Sequence, residues 1–334
     1  MKPHVYLAAR LIVLTSLTAC GVSSDTDTTP AENTSNQPVD SGTETDTGTD
    51  TSDETFQREA ISGQQSFTHD GIERTYYLHI PQNAAAHAPL VLVMHGYTGS
   101  ATGIMEYSGM NDVADEHGFA VFYPQGTRDQ SGNPFFNVGY QFHVDEGVRI
   151  DDMGFLRSLV AHLQETYTLS TDNVFSTGMS NGGDMSYRLG CQSSDVFKAI
   201  APVAGTMLND VFQDCTPTRP MPVFEIHGTR DDVTYWEGDM ANADGWGAYL
   251  DIDSIVTFWV DYNGLDLHTT EALADTSTWD ESTVVFERYY SDVTASEVWL
   301  YRIEEGGHDW PGAWGNQDID ASQAVWSFFS QYVD

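Results

Sequence analysis

The pentapeptide Gly178-Met179-Ser180-Asn181-Gly182 follows a short apolar run, Val174 to Thr177, and precedes a stretch that can run helical to Cys191. A strand that turns sharply into a helix leaves no room for bulk beside its central residue. It exposes the serine hydroxyl and points backbone N–H groups at any negative charge that develops there. A serine hydroxyl is a poor nucleophile at neutral pH, so chemistry at Ser180 requires a base within hydrogen-bond reach and a third group to orient that base. Two later loops supply candidates. His308 lies in Gly306-Gly307-His308-Asp309-Trp310-Pro311-Gly312, after an apolar run at Val298 to Ile303. Asp231 and Asp232 lie in His227-Gly228-Thr229-Arg230-Asp231-Asp232, after the run Pro222 to Ile226. The two aspartates are adjacent and their side chains must diverge, so only one can face the imidazole. Asp231 is preferred as the first residue free to leave the strand end, with Asp232 the alternative. Upstream, Val91 to Met94 runs into His95-Gly96-Tyr97-Thr98-Gly99. The backbone N–H groups of Tyr97 and Asn181 are thereby expected to form an oxyanion hole, with His95 a structural support for its loop.

Those loops need a scaffold, and the sequence describes one. Residues 63 to 80 read as a hairpin around Asp70-Gly71. Short continuous apolar runs at 89–94, 119–123, 173–177, 199–203 and 222–226 suit strands covered on both faces. Residues 150–167 place Met153, Leu156, Leu159, Val160 and Leu163 on one helical face, and 319–333 repeats the pattern with Ile319, Ala324, Val325, Phe328 and Phe329. The expectation is an α/β domain with a mostly parallel central sheet, an antiparallel N-terminal hairpin and helices on both faces. The chain order Ser180, Asp231, His308 is that of the α/β-hydrolase fold.

Composition narrows the partners. Thirteen Lys plus Arg against 50 Asp plus Glu give the 334 residues a net charge of −37, which disfavours nucleic acid and anionic membrane. An acidic surface of this kind suits a saline medium that screens its self-repulsion. Residues 1–20 read as an export signal: Lys2 and Arg10 precede or enter an apolar run, Leu11 to Ala19, too short to span a bilayer. The run ends Leu17-Thr18-Ala19-Cys20-Gly21, which resembles a lipobox, so Cys20 is expected to be lipidated and to be the only membrane attachment. Gly21 then points to an outer-membrane lipoprotein, exported and held at the cell surface. Residues 21–56 carry no Lys, Arg, Leu, Ile or Met and are expected to be a disordered acidic tether. The remainder, 57–334, has 41 acidic and 11 basic residues and reads as one catalytic domain. Its two cysteines, Cys191 and Cys215, most simply pair in an exported chain, closing a loop worth about 3 kcal/mol in the chain-entropy view. The scattered histidines and the lack of a Cys/His cluster suggest no metal.

The runs His95-Gly96-Tyr97-Thr98-Gly99, Ile150-Asp151-Asp152-Met153-Gly154-Phe155, Gly178 to Gly183, His227-Gly228-Thr229-x-Asp231 and Gly306-Gly307-His308-x-Trp310-Pro311-Gly312 together resemble the secreted poly(3-hydroxybutyrate) depolymerase and feruloyl esterase family. The resemblance covers about residues 65 to 330. It implies an α/β-hydrolase fold, no cofactor, and ester hydrolysis with Ser180 as nucleophile, His308 as base, Asp231 as its partner, and Tyr97 and Asn181 as oxyanion donors. Members often carry a disulfide where Cys191 and Cys215 fall. Aromatic residues beside the motifs, chiefly Trp310, Tyr235 and Phe136, with Tyr97 and Phe135 behind them, are the expected substrate contacts. The expected substrate is a hydroxyalkanoate ester, more readily an oligomer or small ester than a crystalline polymer, since no substrate-binding module is visible after the motifs. A feruloyl or acetyl ester on xylan is the alternative within the same chemistry. A non-catalytic surface binding lipoprotein is the alternative outside it. A monomer is expected.

Overall fold

A computed structural model describes Phe56 and residues 58–334, which fall within one compact unit, Glu54–Asp334. The expected signal, its Cys20 and nearly all of the expected tether lie outside the described residues. The chain opens with the hairpin β1 (Ile61–His69) and β2 (Ile72–Ile80). Asp70 and Gly71 between them have φ of 49° and 76°, the doubly positive turn that matches the twist of paired strands. Then come β3 (Leu90–Met94), helices α1 (Ala101–Ser108) and α2 (Met110–His117), β4 (Ala120–Pro124) and the short pair β5 (Thr127–Arg128) and β6 (Pro134–Phe135). Helices α3 (Gln141–Asp145) and α4 (Asp152–Tyr167) lead to β7 (Val174–Met179), α5 (Asn181–Gln192), β8 (Ala199–Val203), α6 (Asn209–Gln213) and β9 (Val223–Gly228). The last third adds α7 (Ile252–Asn263), β10 (Leu267–Ala272), β11 (Thr283–Tyr290), β12 (Val298–Glu304) and α8 (Ala321–Ser330).

Ten strands form one sheet in the order β1-β2-β4-β3-β7-β8-β9-β12-β11-β10. The six from β4 to β12 are parallel, and each end carries antiparallel strands. The hairpin at the N-terminal edge agrees with the sequence reading; the second antiparallel edge, β11 and β10, was not expected. Its outermost strand is exposed at every position but Leu267, so it lacks the apolar pattern by which a strand is recognised.

Alternation along the strands splits the core in two. Leu90, Leu92 and Met94 pack with Phe155 and Leu159 of α4, Met185 of α5 and Ile255 of α7. Val91 and Val93 pack on the opposite face with Ile104 of α1, Val113 of α2 and Phe328 of α8. Helices thus cover both faces, which is why these strands read as unbroken apolar runs. The disulfide joins Cys191 near the end of α5 to Cys215 after α6, with an S–S distance of 2.01 Å. The Asp151-Asp152 pair of the sequence motif is structural: Asp151 caps α4 by accepting from the Gly154 N–H, while buried Asp152 accepts from Arg74 at 2.7 Å and from the Asn137 N–H at 2.7 Å.

Candidate active site

Ser180 is the turn between β7 and α5, and its backbone is strained, with φ 55° and ψ −122°. A non-glycine residue in this region must be held there by its surroundings. Two hydrogen bonds do so: the Ser180 N–H donates to the Val203 carbonyl at 2.9 Å, and the Asp184 N–H donates to the Ser180 carbonyl at 2.8 Å. The flanking glycines are steric necessities. A Cβ on Gly178 would lie 2.7 Å from the Met94 carbonyl oxygen, one on Gly182 would lie 2.7 Å from the Met94 carbonyl carbon, and one on Gly183 would lie 2.9 Å from the Gly205 Cα. The elbow is packed backbone against backbone.

β9 and β12 are parallel neighbours, so the loops that leave their carboxyl ends run side by side. The Thr229 N–H donates to the Ile303 carbonyl and the Arg230 N–H to the Gly306 carbonyl, both at 2.9 Å. This brings His308 Nδ1 to 2.7 Å from Asp231 Oδ2. Asp231 Oδ1 accepts from the Val233 and Thr234 N–H groups, each at 2.8 Å. Burial alone would raise the Asp231 pKa, but the His308 hydrogen bond and charge, followed by the charge of His227, hold it below the ordinary carboxylate range. Asp232 is exposed. The structure therefore brings Asp231, and not its neighbour, to the imidazole. With Nδ1 engaged, Nε2 is the ring nitrogen left to handle a proton. His308 meets Asp231, and among the described residues no hydrogen bond joins it to Ser180 Oγ.

The His95 loop passes beside the serine: a Cβ on Gly96 would lie 3.3 Å from Ser180 Cβ and 3.7 Å from its Oγ. Among the described residues, the Tyr97 and Asn181 N–H groups have no hydrogen-bond acceptor. Their side chains are occupied elsewhere. The Tyr97 hydroxyl donates to Asp129 at 2.5 Å, and its pKa is pushed up to about 12 by burial and that bond. Asn181 Oδ1 accepts from the Phe136 N–H at 2.7 Å and Nδ2 donates to the Phe136 carbonyl at 2.9 Å, pinning the segment after β6 onto the elbow. His95 is structural, as expected. Its Nε2 accepts from the Gly126 N–H at 3.0 Å, its Nδ1 pairs with the Gly96 carbonyl at 2.7 Å, and burial lowers its pKa to about 4.

The expected substrate contacts need correction. Trp310 is 1 % exposed and its indole N–H donates to Ser322 at 3.1 Å, so it is core under α8. Phe136 and Phe135 are fully buried; the Phe136 ring packs 4.8 Å from His95. A position two residues after the histidine does not fix a side chain's direction, and both rings turned inward. Tyr235 is half-buried and does not line the cavity that contains Ser180. That cavity is walled instead by Tyr140, Asp184, Thr206, Leu208, Val233, Thr234, Trp246 and Tyr249, and its volume is about 20 Å³. None of these was singled out from sequence. Asp184 could have been, as the acid one helical turn after Ser180. It accepts from the Tyr140 hydroxyl and the Thr206 N–H, both at 2.7 Å, yet burial still lifts its pKa to about 7.

A family model described as Esterase PHB depolymerase matches residues 74–242. A bifunctional acetylxylan esterase/xylanase of Neocallimastix patriciarum is 28 % identical over 167 residues, covering 50 % of this chain and 23 % of that protein. Feruloyl esterase B of Piromyces equi is 30 % identical over 156 residues, 46 % of this chain and 28 % of its own length. Poly(3-hydroxyalkanoate) depolymerase C of Paucimonas lemoignei is 30 % identical over 129 residues, 39 % of this chain and 30 % of its own. The chain thus spans less than a third of the length of each of these three relatives. Among solved structures, an acetyl xylan esterase from Aspergillus awamori aligns over 80 % of this chain and 99 % of its own, with TM-score 0.56 and 17 % identity, a likeness of fold.

Proposed function

The chain belongs to the Esterase PHB depolymerase family, and on that premise we propose that it is a serine carboxylic ester hydrolase that cleaves hydroxyalkanoate esters. The observation that carries the reading is the 2.7 Å His308–Asp231 hydrogen bond at the carboxyl edge of the same sheet whose β7 ends in the strained Ser180 turn. In this mechanism Ser180 Oγ attacks the ester carbonyl as His308 Nε2 takes the hydroxyl proton, and Asp231 stabilises the imidazolium through Nδ1. The carbonyl oxygen, now negative, is met by the Tyr97 and Asn181 N–H groups. Collapse expels the alcohol with the proton from His308 and leaves an acyl-Ser180. Water, deprotonated by His308, then releases the acid and restores the serine.

A cavity of about 20 Å³ beside Ser180 holds about one water-sized group, which supports a small acyl group over an aryl one. One observation favours a second reading, an acyl ester carried on xylan. Trp279 and Trp314 are 75 % and 70 % exposed and bracket a cleft of about 380 Å³ formed partly by the loop that follows His308. Exposed rings on either side of a cleft suit a polymer chain laid across the surface. The test is acid release from hydroxybutyrate oligomers, acetylated xylan, methyl ferulate and p-nitrophenyl acetate by the protein and by Ser180→Ala. Serine-dependent preference for the oligomers is expected; preference for acetylated xylan selects the second reading. A protein that neither turns over any ester nor reacts with a fluorophosphonate at Ser180 is the non-catalytic binder instead.

Export with a lipid anchor at Cys20 is part of the proposal. Its supports are the lipobox-like Leu17-Thr18-Ala19-Cys20 and the Cys191–Cys215 disulfide, a bond typical of oxidising compartments. Incorporation of labelled palmitate that persists in Cys20→Ala would refute the anchor.

A further inference from the structure

β9 is buried at all six positions, yet it carries Glu225 and His227 on one face. Glu225 Oε2 accepts from the Tyr187 hydroxyl of α5 at 2.7 Å, and Oε1 lies 2.8 Å from His227 Nδ1. His227 Nε2 lies 2.8 Å from the carbonyl oxygen of Thr234 and 3.5 Å from Asp231 Oδ2. A carbonyl oxygen only accepts, so Nε2 carries a hydrogen. Both side chains are fully buried, and a carboxylate there requires a partner that is charged and hydrogen-bonded. With Tyr187 satisfying one oxygen, the other shares a single proton with His227 Nδ1; burial raises the Glu225 pKa, and the histidine hydrogen bond and charge work against that rise.

We propose that His227, held as an imidazolium by Glu225, is a positioning residue behind the triad, fixing the Asp231–Thr234 turn and aiming its carboxylate at His308. Asp231 then stands between two imidazoles. His308 is on the reacting side and His227 on the protein side. The inference rests on the hydrolase reading above. It extends the orienting chain by two buried groups that touch no substrate.

The groups that face His227 are Glu225 on its own strand, Asp231 and the Thr234 carbonyl from the loop after β9, and the edge of Trp236 at 6.1 Å. Tyr187 and Asp184 of α5 act on it through Glu225, and His308 through Asp231. Burial opposes charge on His227, but the Glu225 hydrogen bond and charge, with Asp231 behind them, outweigh it and raise its pKa. The cationic end of the Glu225–His227 pair is the end nearer to His308. Its charge acts on Asp231, the carboxylate that both imidazoles face.

The experiment has two arms. Histidine-selective ¹⁵N spectra of the wild-type full chain at pH 8 should show one imidazole with both ring nitrogens protonated, absent in the double variant Glu225→Gln/His227→Gln. The double replacement leaves no lone buried charge and so favours a folded control. The second arm follows the rate at which a fluorophosphonate labels Ser180 against pH: the Oγ–P bond forms, fluoride leaves, and His308 takes the proton. The acid limb should move up by about 0.5 to 1 pH unit in the double variant, with the plateau rate falling about tenfold. A wild-type spectrum without a doubly protonated histidine overturns the proposal, whatever the variant does. An unmoved acid limb in a folded variant overturns the positioning role. Failure of wild-type Ser180 to react at all would instead sink the hydrolase reading, an outcome separate from the spectrum.

Discussion

Gly228 at the end of β9 packs its Cα against the backbone of Gly306 and Gly307: a Cβ there would lie 2.5 Å from the Gly307 carbonyl oxygen and in contact with the Gly306 carbonyl. This contact sets the spacing of the Asp231 and His308 loops. Gly228→Ala must push them apart, because the obstacle is backbone. Overpacking of this kind costs about 1–3 kcal/mol. The expected outcome is a folded protein with a lower melting temperature and at least about 100-fold lower kcat/KM, since a displacement near 1 Å at the triad carries that penalty. Unchanged turnover would mean that the loops are not in register for catalysis.

Asp231 and Asp232 separate cleanly by substitution. Asp231→Asn should lower kcat by about 10⁴-fold, because an amide at the 2.7 Å contact favours the wrong imidazole tautomer. Asp232→Asn should change kcat/KM by less than about twofold, since the side chain is exposed. Steady-state kinetics on one chromogenic ester checks both.

Trp310→Phe tests burial against substrate contact. The indole fills core and donates to Ser322, so the variant should lose about 1–3 kcal/mol of unfolding free energy with KM unchanged. A raised KM without loss of stability in urea would return Trp310 to the substrate.

Asp184 makes stability depend on pH. Its pKa is raised from 3.8 to about 7, so the folded state binds the proton more tightly than the unfolded chain. Stability from this group is therefore fully present at pH below about 4 and is lost as pH rises through 7. Urea unfolding between pH 5 and 8 should show the wild type weakening by at most ~3 kcal/mol relative to Asp184→Asn. Parallel curves for the two proteins would refute this.

Much of the site was legible because backbone requirements leave marks in composition. Ser180 needed Gly178, Gly182 and Gly183, His308 followed a strand and two glycines, and each loop left a carboxyl edge, so local sequence carried the information. What was hidden depended on side-chain direction and on contacts between distant segments. Trp310 and Phe136 stand next to the motifs in sequence but face inward, whereas Trp246 and Tyr249 reach the Ser180 cavity from a loop more than 60 residues later in the chain. Glu225 and His227 were visible as two polar residues in an otherwise apolar strand. Only their pairing with Tyr187 and Asp231 gave that pattern a meaning.

The outermost strand β10 adds little to the core, yet it caps an edge of the sheet. It pairs along β11, and its His268 ring stacks on Tyr289 with centroids 4.2 Å apart. Beyond it the chain presents Thr269, Thr270 and Glu271 to water. A second molecule seeking to lengthen the sheet would have to strip hydration from this polar rim and approach against a shared excess of negative charge, an arrangement that resists fibrillar stacking in a concentrated solution.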